Sequence, residues 1–107
     1  MTALLEPRLP SQPDPVPDSV LMQRIAKRDS TALVELERRH RSSLYAQAYG
    51  ILMDGAAADR VVRDTFSQLW FDAPEYSLMP AAWDLLRDMS RELARAEQAL
   101  RSQARWR

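Results

Sequence analysis

Ala58-Asp59-Arg60-Val61-Val62-Arg63-Asp64-Thr65-Phe66-Ser67-Gln68-Leu69-Trp70 is the stretch whose reading decides the fold. Ala58, Val61, Val62, Thr65, Phe66 and Leu69 recur at intervals of three and four, which puts them on one side of an α-helix with Trp70 at its border. A strand would alternate with period two, and no part of the chain does so. On the N-terminal side, Asp54 and Gly55 interrupt the pattern. Before them Leu33, Leu36, His40, Leu44, Ala48, Ile51 and Leu52 mark a longer helix, with Tyr45 and Tyr49 at its margin and Asp29 and Ser30 at its start. Earlier still, Leu21, Met22, Ile25 and Ala26 form a short stripe behind Asp18 or Ser19, either of which is expected to cap it. On the C-terminal side, Phe71 to Pro80 holds Pro74 and Pro80, has no period and reads as a loop. Leu85, Leu86, Met89, Leu93, Ala96 and Leu100 then set one side of a fourth helix, expected to fray towards Arg107. The expectation is an all-α, compact bundle of about four helices over residues 18–107.

With 107 residues, 46% of them apolar, there is material for one core and one domain. Five of the seven prolines (Pro7, Pro10, Pro13, Pro15, Pro17) fall in residues 1–17, where they remove backbone donors at short intervals. That segment reads as an extended or disordered leader. It lacks the basic start and the apolar run of a signal peptide, and no stretch is apolar enough for a membrane span, so a cytoplasmic location is expected. Fifteen basic and fifteen acidic residues cancel, which argues against strong autonomous nucleic-acid binding.

The absence of cysteine excludes disulfides, thiolate metal sites and thiol nucleophiles together. The single histidine, His40, lies on the apolar stripe of the second helix and reads as a packed or boundary residue. Asp84 and Asp88 share a face with Arg87 and Arg91, which suits a solvated ion-pair surface better than acid–base catalysis. Phosphate-binding and nucleophile motifs are missing. No catalytic residue, metal site, cofactor or small-molecule substrate is expected.

The order of segments is more informative than any single motif. Asp18, Leu21, Arg24-Ile25-Ala26, then Asp29, Ala32, Leu33 and Leu36 open a pattern continued by Tyr45, Ala48, Ile51, Leu52 and Asp54. Ala58 to Phe66 follows, ending in Leu69-Trp70, and then Leu86, Met89, Ser90 and Arg91. Over roughly residues 18 to 95 this resembles region 2 of the extracytoplasmic-function (ECF) class of bacterial sigma factors, with Arg28 where that family usually has glycine. The resemblance implies a helical domain with two surfaces. One, formed by the second and third helices, grips the clamp coiled coil of the largest subunit of core RNA polymerase; here it maps to Asp59, Arg60, Arg63, Asp64 and Ser67. The other captures flipped bases of the promoter −10 element; its candidates are Phe71 and Tyr76 in the expected loop and Arg87, Arg91 and Arg95 on the fourth helix. An unstacked base needs an aromatic wall, and its strand needs cations. Phe71 and Tyr76 equally suit the bottom of the bundle, and the arginines equally suit a solvated face.

The departures bear on both surfaces. Arg60 and Arg63 stand where the family has aspartate and glutamine, so a mainly acidic face becomes mixed; Asp59 with Arg63 and Arg60 with Asp64 are also plain i,i+4 pairs. Glu92 and Ala96 replace the family's asparagine and aspartate. The chain ends at Arg107, so the helix-turn-helix domain that reads the −35 element is expected to be missing. Two functions follow: a sigma-like transcription protein that meets promoter DNA only with polymerase, or a degenerate module for a protein partner such as an anti-sigma factor, another sigma-like chain or itself.

Overall fold

The computed structural model describes residues 16–76 and 81–105, and among them the chain forms four helices: α1 (Asp18–Ala26), α2 (Ser30–Leu52), α3 (Gly55–Tyr76) and α4 (Ala82–Arg105). Residues 1–15 of the expected leader, residues 77–80, and Trp106 and Arg107 lie outside the described residues, as do the side chains of Glu75 and Tyr76. The architecture is an all-α bundle with α2 at its centre, packed on α1, α3 and α4. Leu36 and Leu44 of α2, Val62, Phe66 and Leu69 of α3, and Leu86 and Met89 of α4 are buried in one cluster with Leu21, Met22 and Ile25 of α1. Val16 already packs against this cluster. A second cluster gathers Ala48, Leu52, Ala57, Ala58, Val61 and Ala94. Most of its members are alanine, so the helices meet there through short side chains.

The helix boundaries follow from local chemistry. Asp29 caps α2 by accepting from the Thr31 N–H at 3.0 Å, and Asp54 stands before α3 and accepts from the Ala57 N–H at 3.1 Å. The expected cap of α1 is different. Pro17 occupies the cap position, its carbonyl accepting from Val20 and Leu21, and the Asp18 carboxylate turns instead to α2. With Pro17 in the cap position, Asp18 is the first helical residue, and its carboxylate is free for that contact. α1 ends in a Schellman turn: Arg28 N–H donates to the Ile25 carbonyl and Asp29 N–H to the Arg24 carbonyl, both at 2.9 Å, with Arg28 at φ 70°.

Two further expectations are corrected. Phe71 to Tyr76 is not loop but the last part of α3, with Pro74 inside the helix. The stripe explains this: Ala73 is fully buried four residues after Leu69, so the packing face runs on past the point where proline suggested a break. On α4 the buried residues are Ala82, Leu86, Met89, Ser90 and Ala94, whereas Ala96 and Leu100 are exposed. Beyond Ala94 the helix passes the end of α2 and the start of α3, and polar side chains replace the apolar row. Gln98 donates to the Ile51 carbonyl at 3.1 Å and Arg101 pairs with Asp54 at 2.8 Å. That ion pair and the Ala57 N–H hold the Asp54 carboxyl below its ordinary range, the backbone bond being the larger influence.

Candidate functional site

The outer face of α2 and α3 concentrates the exposed chemistry. Four charged side chains alternate along it: Glu37 pairs with Arg41 one turn on, Arg41 reaches Asp59 of α3 at 3.8 Å, and Asp59 holds Arg63 at 2.5 Å. At one end of this ladder a cleft of about 350 Å³ opens between the helices, walled by Leu33, Phe66, Trp70 and Phe71 and rimmed by Glu37, Arg63 and Ser67. Phe71 is 73% exposed, and Val34 nearby on α2 is 65% exposed. At the other end Tyr45 and Tyr49 stack at 6.1 Å, with Met53 exposed beyond them. Tyr45 lies over the start of α3, where a Cβ on Gly55 would come within 2.9 Å of its hydroxyl oxygen.

The residues expected to meet a protein partner are only partly together. Asp59, Arg63 and Ser67 belong to the ladder and the cleft. Arg60 does not pair with Asp64; it reaches across to Glu97 of α4 at 3.3 Å and so ties two helices. Asp64 is exposed and makes no ion pair among the described residues. The expected nucleic-acid set divides. Phe71 does not close the bundle but shares the cleft with Arg63 and Ser67. Arg87 is held by Asp84 and Asp88 at 3.2 and 3.4 Å, and Arg91 meets Asp88 at 3.8 Å. Arg91 and Arg95 line a separate depression with Asp88 and Glu92. Val34, Glu37, Arg41 and Met53 were missed by sequence reasoning. Tyr45 and Tyr49, one turn apart at the edge of the stripe, were the available signal for this end of the face.

Two joints hold the face in place from behind. Asp18 of α1 accepts from Arg39 Nη1 at 2.9 Å and contacts His40 Nε2 at 2.7 Å, and the His40 ring stacks on Trp83 of α4 at 5.5 Å. His40 is therefore a boundary residue joining three helices. Arg39 also bonds Glu35, which Arg38 holds as well; these hydrogen bonds, Arg38 first, pull the Glu35 carboxyl down to about 2. The second joint is Arg28, whose guanidinium donates to the Trp70 carbonyl and lies 4.9 Å from the Trp70 ring centroid. Among the described residues no group of three or more His, Cys, Asp or Glu is placed to hold a metal ion, and no helix is long and apolar enough to cross a membrane.

Known proteins resemble this chain over most of its length. It is 33% identical over 87 residues, 78% of the chain, to the ECF RNA polymerase sigma factor SigK of Mycobacterium sp. (strain KMS) and to its namesake in Mycobacterium sp. (strain JLS). The RNA polymerase sigma factor SigK of Mycobacterium sp. (strain MCS) matches to the same degree. The chain carries a sigma-factor-like region. It spans less than half the length of these curated relatives, 44% of each. No protein-family profile matches the chain, and no solved structure matches it. In the sigma-factor-like region α2 and α3 supply the charge ladder and the cleft.

Proposed function

We propose that this chain is a sigma-like transcription protein that joins core RNA polymerase through its α2–α3 face and contributes to promoter −10 recognition during initiation in the cytoplasm. The α2–α3 face carries this reading. Its ladder of alternating charge between two apolar ends is the complement that a coiled coil, with charged flanks and apolar knobs, would need in order to be held in one register. The partner on this reading is the clamp coiled coil of the largest polymerase subunit, met by Asp59, Arg63 and Ser67 together with Glu37 and Arg41. Promoter contact falls to Phe71, Tyr76, Arg87, Arg91 and Arg95, and only within the polymerase complex. Arg87 and Arg91 face Asp84 and Asp88, which leaves little uncompensated charge for phosphates.

One observation favours a second reading, a sigma-like module that takes a regulatory protein such as an anti-sigma factor, another sigma-like chain or a second copy. Arg60 and Arg63 put cations on the docking helix, and both are tied into ion pairs. Arg63→Gln separates the two readings, and it leaves the Arg60–Glu97 tie intact. Affinity is measured for core polymerase and for whatever co-purifies from the native cell. On the polymerase reading, core binding tightens, because the glutamine usual at this position in the family is restored on the surface the polymerase meets. On the regulatory reading, the co-purifying partner loses ~2 kcal/mol, because a charge it meets has been removed. If neither affinity moves while helix content is intact, this face is solvated surface and the docking assignment is wrong.

A further inference from the structure

The turn between α1 and α2 and the last part of α3 each depart from ordinary backbone chemistry, and the two departures meet. Arg28 holds φ 70°, in the left-handed region where a Cβ is costly and glycine is the usual occupant of a Schellman turn. Pro74 lies inside α3. Proline has no N–H, so the carbonyl four residues earlier, that of Trp70, loses the donor a helix would supply, and the ring crowds that same oxygen. The group that donates to the Trp70 carbonyl is the Arg28 guanidinium, which also rests against the Trp70 ring.

We infer that Arg28 is a positioning residue: it supplies the donor that Pro74 withholds, and so fixes Trp70 and Phe71 as the wall of the α2–α3 cleft. Glycine at position 28 would relax the turn but leave the carbonyl without this bond. Alanine at position 74 would restore the helical donor and make the arginine dispensable. Each departure is thus accounted for by the other. Only the use of the wall rests on the docking reading; the joint can be tested without any partner.

The test uses the full chain in a Trp83→Phe, Trp106→Phe background, which leaves Trp70 as the one tryptophan of three and keeps an aromatic ring beside His40. Arg28→Gly, Pro74→Ala and the double variant are compared by urea unfolding and by acrylamide quenching of Trp70 emission. With Pro74 in place, Arg28→Gly should raise the unfolding constant about fivefold or more; in the Pro74→Ala background, by less than about twofold. Removing Arg28 uncovers the Trp70 ring in either background, so quenching should rise in both and rise further in Arg28→Gly with Pro74 in place. An equal effect of Arg28→Gly in both backgrounds, or unchanged quenching, would overturn the inference. Should Arg28→Gly not fold, the double variant must, and its failure to recover counts against the joint. Core polymerase affinity across the same proteins then judges the docking reading separately: a coupled joint with uniform affinity keeps the joint and removes the cleft from the docking surface.

Discussion

Asp18→Ala tests how the α2–α3 face is held from behind. The carboxylate receives Arg39 Nη1 at 2.9 Å and His40 Nε2 at 2.7 Å, and it is the polar link from α1 to the centre of α2. Side-chain exposures of 27% for Asp18 and 18% for each partner place the cluster between two regimes. A fully exposed pair contributes about 0–1 kcal/mol, whereas breaking a buried one costs about 3–5 kcal/mol. Discounting for this partial exposure, and noting that Arg39 keeps Glu35 as a partner, the expected loss is ~2 kcal/mol. With an m-value of about 1.5 kcal/mol/M, the urea midpoint should fall by about 1.3 M. Asp18→Asn, which keeps an acceptor but not the charge, should recover about half of that. The assay is far-UV circular dichroism during urea unfolding of the three proteins at one pH. A midpoint shift under about 0.3 M for Asp18→Ala would refute the reasoning, since the cluster would then behave as an exposed ion pair.

Ser90→Ala should stabilise the bundle by ~1 kcal/mol, because Ser90 Oγ is fully buried and finds no hydrogen-bond partner among the described residues, and alanine is the better helix former; a lower melting midpoint would contradict this. Acid should weaken the fold in a definite window. Glu35, held at about 2 against an ordinary 4.5, and Asp54, also lowered, bind protons less readily folded than unfolded. Their contribution is therefore whole above about pH 4.5 and disappears as pH falls towards 2. Urea midpoints measured between pH 6 and pH 3 should fall in this sense, and Glu35→Gln should flatten part of the fall.

Much of the bundle was legible because its signal is periodic. The α3 stripe from Ala58 to Leu69 is buried as its spacing requires, and the core partners on α2 and α4 follow from the same rule. The rest failed where a tertiary contact overrode a local one. Asp18 has the right chemistry for a cap, but nothing in α1 reveals that Arg39 and His40 lie across from it. Pro74 reads as a breaker because a helix normally cannot satisfy the carbonyl it orphans; the donor comes from residue 28, far away in sequence. The α4 stripe fails after Leu93 for a related reason, since Gln98 and Arg101 turn there to the Ile51 carbonyl and the Asp54 carboxylate. At the candidate site, charge types could be read in advance but their pairing could not. Asp59 with Arg63 is local, whereas Arg60 with Glu97 depends on how α3 and α4 are set against one another.

If the α2–α3 face is the docking surface, its ladder of Glu37, Arg41, Asp59 and Arg63 has a kinetic consequence. Two carboxylates and two guanidiniums cancel over a short distance, so little electric field reaches beyond the surface, and the whole chain is neutral as well. On the docking reading proposed above, a partner would not be drawn in from afar, and encounter would proceed at the unsteered rate of about 10⁵–10⁶ M⁻¹s⁻¹ with little sensitivity to ionic strength. Selectivity would then arise after contact, when the intramolecular pairs either exchange for intermolecular ones or stay shut. Partners that could not open them would leave quickly, and a fitting partner would be distinguished by how long it remains.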